Sequence, residues 1–192
     1  MSYQVIYADP PWTYRDKAKS GDRGLENKYP TMTQRDLTLL PIESIADQDS
    51  CILFMWWVGP MPEKATELAE AWGFRVMNMK GFTWVKTYQK KTDKFAIGMG
   101  HVTRSNSEDC LIAVKGKLPP RFDASISQVV VAPRLEHSAK PEEVRQRIER
   151  LYPDAKKLEL FARCDKPIDG WDVFGNQAHG SIEYQPAKFI IP

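Results

Sequence analysis

Asp9-Pro10-Pro11-Trp12 follows directly on Val5-Ile6-Tyr7-Ala8, a short apolar run that reads as a core strand. In an α/β sheet, ligands lie outside the carboxyl ends of the strands, and these four residues stand at such an end. Pro10 disfavours the helical region for Asp9, and Pro11 does the same for Pro10. An extended, rigid backbone is expected here, with carbonyls free to face a ligand. One carboxylate, fixed carbonyl acceptors and a flat indole suit a base that carries an exocyclic amine. The two N–H donors of that amine would meet Asp9 and the Pro10 carbonyl, and the ring would stack on Trp12. A proline-rich turn beside a buried tryptophan is the plainer alternative. A second pair, Pro119-Pro120, lies in a polar loop, so the proline pair alone carries little.

Other chemistries find less support. Cys51, Cys110 and Cys164 lie far apart with no CxxC pair, and His101, His137 and His179 show no HExxH spacing. No metal site is expected, and such cysteine usage fits a reducing compartment. Gly98-Met99-Gly100 joins no strand to a helix, which argues against a dinucleotide-binding loop. Lys and Arg total 27 against 25 Asp and Glu, and a net charge of +2 does not by itself indicate nucleic acid. Its distribution says more. Lys80, Lys86, Lys90, Lys91, Lys94 and Arg104 are opposed in that stretch by Asp93 alone. Such a segment suits a phosphate backbone, with a solvated loop as the alternative.

The elements that must position these residues alternate between strand and helix. The chain has 192 residues, 42% hydrophobic and 27% charged, which fits one globular domain spanning 1–192. No apolar run approaches the roughly 18 residues of a membrane span, and no secretory signal is expected. Tyr3 to Ala8 and the continuous apolar run Cys51 to Val58 read as buried strands. Thr33 is expected to cap a helix reaching about Leu40. Pro62 to Trp72 reads as a helix closed by Gly73. Phe74 to Met79 and Phe82 to Lys86 read as one or two strands, and Tyr88 to Ser107 as a long basic loop. Cys110 to Val114 and Gln128 to Val131 read as strands. Pro141 to Leu151 is a helix, with Val144, Ile148 and Leu151 on one face. Lys157 to Ala162 is a last strand. This alternation predicts an α/β layer fold with a mostly parallel sheet.

At Asp9-Pro10-Pro11-Trp12 the sequence resembles the DPPW-type adenine N6-methyltransferases. These comprise the catalytic subunit of the eukaryotic messenger-RNA adenosine methyltransferase and its bacterial and phage relatives. Further blocks carry the likeness in order: Trp72-Gly73-Phe74 with Phe82 to Lys86; Gly100-His101, Arg104, Glu108 and Leu111; Glu136-His137-Ser138 with Lys140-Pro141; and Lys157 to Arg163 with Gly170-Trp171-Asp172 and Gly175-Asn176-Gln177. The resemblance implies a Rossmann-like methyltransferase fold, circularly permuted so that the catalytic motif precedes the cofactor motif. It implies S-adenosyl-L-methionine as cofactor and nucleic acid as substrate, DNA first and RNA second. Asp9, Pro10, Pro11 and Trp12 would be catalytic. Ala8, Asp9, His137, Ser138, Lys140, Glu159, Phe161, Arg163, Asn176 and Gln177 would hold the cofactor. Within that set, Lys140 takes the methionine carboxylate, and Asn176 and Gln177 take the ribose. Tyr14, Arg15, Tyr29, Lys86, His101 and Arg104 would grip the nucleic acid strand.

The family also holds the cofactor adenine with an acidic residue upstream of its DPPW strand. Here eight residues precede Asp9, so that contact stays unassigned. A cytosine N4-methyltransferase would usually carry serine in place of Asp9. A catalytically degenerate nucleic-acid-binding partner would be expected to have lost Asp9, Lys140, Asn176 or Gln177, and all four are present. The expectation is a cytoplasmic protein, encoded by a bacterium or phage, without a membrane partner and compatible with a homodimer or heterodimer.

Overall fold

The computed structural model describes residues 2–13, 32–98, 100, 102–134, 139–162, 167–175, 183–185 and 188–190. Its strands are β1 (Val5–Ala8), β2 (Ser50–Trp57), β3 (Arg75–Tyr88), β4 (Lys91–Phe95), β5 (Ser107–Gly116), β6 (Val129–Pro133), β7 (Lys157–Leu160), β8 (Trp171–Phe174), β9 (Glu183–Gln185) and β10 (Lys188–Ile190). The helices are α1 (Gln34–Thr38), α2 (Ile42–Ile45), α3 (Pro62–Ala71) and α4 (Glu142–Leu151). No helix among the described residues is long and apolar enough to cross a membrane.

Eight strands form one sheet in the order β4-β3-β5-β2-β1-β7-β8, with β6 beside β3. β9 and β10 form a separate antiparallel pair. The segment β2-β1-β7-β8 is parallel throughout. The sheet as a whole is mixed but mostly parallel, as expected: β1, β2, β3, β6, β7 and β8 run one way, β4 and β5 the other. β5 runs against both β2 and β3, and β4 runs against β3. The two-residue turn after β3 returns β4 antiparallel beside it, as a tight hairpin must.

Both faces of the sheet are covered, which explains why β1 and most of β2 are apolar on both sides. On one face Ile6, Ala8, Leu53, Met55, Leu158 and Leu160 pack with Leu37, Ile42, Leu68 and Trp72 from the first three helices and their ends. On the other, Val5, Tyr7, Phe54 and Trp56 pack with Val144 and Ile148 of α4. Local signals fix the helix ends. The Thr33 side chain accepts from the Asp36 N–H while Asp36 returns the bond to the Thr33 N–H, so α1 begins with a capping box. α3 ends in a Schellman arrangement: Gly73 has φ +83°, its N–H donates to Glu70 O, and the Phe74 N–H donates to Ala69 O.

The two stretches read as one or two strands form the single strand Arg75–Tyr88, with register shifts between Val76 and Phe82. One reading needs correction. Tyr88 to Ser107 is not simply a loop, because Gln89-Lys90 turns β3 into β4 as a hairpin. Lys91-Thr92-Asp93-Lys94-Phe95 is exposed along its whole length, so no face is buried and no apolar alternation marks it as a strand.

Candidate active site

β1 delivers Asp9 to the carboxyl edge of the parallel strands, where the Asp9 N–H still reaches Leu160 O of β7 at 3.5 Å. The strand beyond it is pinned rather than free. The Trp12 N–H donates to Pro10 O at 2.8 Å, and the Met32 N–H donates to Pro11 O at 3.1 Å. Thr13 Oγ1 donates to Met32 O at 2.7 Å. The run is therefore a turn across Pro11, not the plain extended segment expected. Both proline carbonyls carry a backbone bond, and each keeps a second lone pair for a ligand. The Trp12 indole N–H donates to Trp56 O at 3.1 Å, which fixes the ring's orientation.

Lys140 stands directly before α4, whose N-cap is Pro141. Its ammonium lies 2.8 Å from each Asp9 carboxylate oxygen and 3.3 Å from Glu108 Oε2. Glu108 in turn pairs with Lys86. A chain of alternating charge thus runs Asp9, Lys140, Glu108, Lys86 along the edge of the sheet. The Lys140 ammonium also sits 5.5 Å from the centroid of Trp56. Trp56 is held from below, its indole N–H donating to Tyr7 Oη at 2.7 Å.

The charges reinforce one another. For Lys140, burial favours the neutral form, but Asp9 and Glu108 outweigh it and raise the pKa above the ordinary lysine value. For Glu108, burial pushes the pKa up, and the Lys140 and Lys86 charges overcome that and leave it below the usual carboxylate range. The lysine before a helix N-terminus, unfavourable with the helix dipole alone, is explained by these two carboxylates.

The neighbouring strand end carries Glu159, Phe161 and Gly175. Glu159 on β7 stands in register with Tyr7 of β1, and its Oε2 lies 3.0 Å from Arg145 Nη1. Phe161 has φ +62°, a strained conformation for a bulky residue, and stacks on Trp72 at 6.5 Å. A Cβ on Gly175 would lie 2.3 Å from Ala162 O, so only glycine allows the end of β8 to approach this turn.

Several expected site residues meet here: Ala8, Asp9, Pro10, Pro11, Trp12, Lys140, Glu159 and Phe161. Lys86 faces Glu108 rather than standing free, and Arg104 is exposed with no ion pair among the described residues. Tyr14, Arg15, Tyr29, His101, His137, Ser138, Arg163, Asn176 and Gln177 lie outside the described residues. Sequence reasoning did not single out Trp56 or Arg145. Trp56 is one more apolar residue in a continuous run, and Arg145 borders the apolar stripe of a helix. Among the described residues, no cluster of three or more His, Cys, Asp and Glu is placed to hold a metal ion.

A sheet covered on both faces, with a lysine-paired carboxylate at a parallel strand end, belongs to an α/β fold with polar groups gathered where such folds bind ligands. Residues 3–177 match the MT-A70 family, and the chain belongs to that family. It is 37% identical over 207 residues to the type II methyltransferase M.MunI of a Mycoplasma species, covering 99% of this chain and 81% of that protein. It is 34% identical over 179 residues to METTL3, the human N(6)-adenosine-methyltransferase catalytic subunit, covering 93% of this chain and 28% of that one. The Arabidopsis thaliana N(6)-adenosine-methyltransferase MT-A70-like protein is also 34% identical, over 93% of this chain and 24% of its own length.

Proposed function

We propose that this chain is an S-adenosylmethionine-dependent methyltransferase acting on the N6 amine of adenine in nucleic acid, with DNA as its substrate. The observation that carries this is Asp9, held at the end of β1 by Lys140 beside the fixed ring of Trp12. The DNA reading follows the type II methyltransferase relative, matched over most of both chains. RNA is the second reading, favoured by the adenosine methyltransferases matched over 93% of this chain.

An adenine amine is a poor nucleophile because its lone pair is delocalised into the ring. Accepting its N–H bonds at Asp9 and the Pro10 carbonyl localises that pair toward the incoming carbon. Methyl transfer to N6 would build positive charge there, which the Asp9 carboxylate would stabilise, and the surplus N6 proton would pass through its hydrogen bond to Asp9 and on to water. Lys140 holds the Asp9 carboxylate aimed through contacts at 2.8 Å. Trp12 offers a stacking face to a base lifted out of a duplex.

The residues present fit the cofactor. Glu159 offers an acceptor for hydroxyl or ammonium donors, Phe161 an apolar cover, and Lys140 a cation for a carboxylate. Bound there, S-adenosylmethionine supplies the methyl group as a sulfonium-linked electrophile. The turn at Phe161, locked by Gly175, shapes this place. β7 carries it late in the chain yet lies beside β1, which supports the circularly permuted order and a single methyltransferase domain. Gly175→Ala is expected to displace the turn and weaken cofactor binding by about tenfold or more, with a stability loss of about 1–3 kcal/mol. Calorimetric titration with S-adenosylmethionine, beside a melting curve, checks this. Unchanged affinity would place the cofactor elsewhere.

The β3–β4 hairpin rises at the edge where Asp9 lies, because β3 runs in the direction of β1 and β2. Lys90, Lys91 and Lys94 are exposed on it, with no ion pair among the described residues. Replacing all three with alanine is expected to lower the log–log salt slope of polynucleotide binding by about 0.7–0.9 for each phosphate that these lysines neutralise. Cofactor affinity should not move. An unchanged slope would make these lysines a solvated surface only. The functional proposal itself is tested by mass spectrometry of DNA and RNA from cells expressing the protein. N6-methyladenine in DNA supports it, in RNA alone favours the second reading, and in neither contradicts both.

A further inference from the structure

Glu159 occupies a position that usually favours an apolar side chain. It lies on β7, between β1 and β8, with Tyr7 and Val173 as register partners. Its neighbours Leu158 and Leu160 are buried on the opposite face. Glu159 itself points to the α4 side, with only 18% of its side chain exposed. A carboxylate there lowers stability unless it is paired, and even a paired one rarely improves on a hydrophobic residue. Its retention calls for a reason other than stability.

The pairing comes from Arg145 on α4. Arg145 Nη1 donates to Glu159 Oε2 at 3.0 Å, while Nε donates to Glu142 Oε1 at 3.1 Å. The bond to Glu142 is a helix-surface contact within one turn, to a side chain 55% exposed. The bond to Glu159 crosses from helix to sheet and is much less exposed. Among the described residues Arg145 is the hydrogen-bond partner of Glu159, and it engages one carboxylate oxygen only. Among the described residues the second oxygen has no hydrogen-bond partner, and a ligand would bind there.

The surrounding charges explain why the arginine matters. Arg145 and Glu142 face Glu159 from α4, Asp9 from the end of β1, and Tyr7 from within β1. Lys140 is engaged by Asp9 and Glu108. Burial pushes the Glu159 pKa up, Glu142 and Asp9 push the same way, and among the described residues Arg145 opposes them.

We propose that Arg145 is a positioning residue for the cofactor. It holds Glu159 ionised and oriented, so that the second oxygen accepts a hydrogen bond from a hydroxyl or ammonium group of S-adenosylmethionine. This rests on the reading that Glu159 faces the cofactor. Among the described residues Arg145 is the charge that favours ionised Glu159, so removing it raises the pKa further. Glu159 then becomes protonated toward acid pH and loses its acceptor role there, and regains it as the pH rises.

The test is calorimetric titration of the whole chain with S-adenosylmethionine at one mildly acidic and one mildly alkaline pH, because burial raises the Glu159 carboxyl above its ordinary value. The proteins are wild type, Arg145→Met, Arg145→Lys, Glu159→Gln and the Met/Gln double variant, each with a melting curve. Arg145→Met is expected to bind about tenfold more weakly at the lower pH and to recover most of that at the higher. Arg145→Lys should stay within about threefold of wild type at both. Glu159→Gln should lose affinity equally at both, and adding Arg145→Met should change nothing further. An equal loss at both pH values in Arg145→Met, or full additivity in the double variant, would overturn the positioning role while leaving the cofactor placement intact. Wild-type affinity in Glu159→Gln would overturn the placement and the inference together.

Discussion

Asp9→Ala is expected to reduce methyl transfer by about 10²–10³-fold, the loss seen when one preorganised group facing a developing charge is removed. The expectation rests on position. Asp9 lies beyond the end of β1, a quarter of its side chain is exposed, and no core cluster includes it. The fold should therefore survive, with Lys140 turning to Glu108 alone. Single-turnover methylation of an adenine-containing oligonucleotide, with circular dichroism on the same sample, separates chemistry from folding. Activity above about a tenth of wild type would remove Asp9 from the catalytic role, because the residue would then supply less than about 1.4 kcal/mol of barrier lowering.

Lys140→Met is expected to lower both activity and stability. The lysine is 12% exposed and lies between two carboxylates, so its loss leaves like charges facing each other with no cation between them. Breaking a buried pair costs about 3–5 kcal/mol, and the partial exposure of Asp9 and Glu108 brings the expectation to about 2–3 kcal/mol. The pH dependence identifies the cause. Glu108 has its pKa depressed in the folded protein, so its stabilising contribution is complete above its unfolded pKa and lost as pH falls through the folded one. Lys140 has its pKa raised, so its contribution is complete below its unfolded pKa and lost as pH rises through the folded one. Urea unfolding across pH should show the widest gap between wild type and variant near neutrality. The gap should narrow below about pH 4 and above about pH 10.5. A gap independent of pH would mean that the lysine acts through packing alone.

Much of the frame was legible because local chemistry dictates it. The apolar runs of β1 and β2, the Thr33 cap, the Gly73 stop and the Val144-Ile148 stripe each force one structure. The direction of β5 was not legible, since the composition of a strand does not say which way its neighbour runs. β4 was missed because a fully exposed strand is held by backbone pairing and shows no alternation. At the site, residue types were readable and partners were not. Lys140 and Asp9 stand 131 positions apart, and nothing local to either names the other. The resemblance gave Lys140 a cofactor carboxylate. The structure adds Asp9 and Glu108, so the cation lies between the proposed cofactor place and the proposed catalytic acid. The turn across Pro11 was hidden because it depends on Met32 returning to pair with Trp12.

The central claim is that Asp9, set by Lys140 at the end of β1, directs methyl transfer to the adenine N6 amine. The most direct measurement incubates the purified chain and its Asp9→Ala variant with methyl-deuterated S-adenosylmethionine and duplex DNA, followed by nucleoside mass spectrometry. The account predicts deuterated N6-methyl-2′-deoxyadenosine from the wild-type protein and a near-complete loss in the variant. Label on cytosine, or equal labelling of adenine by both proteins, would contradict it.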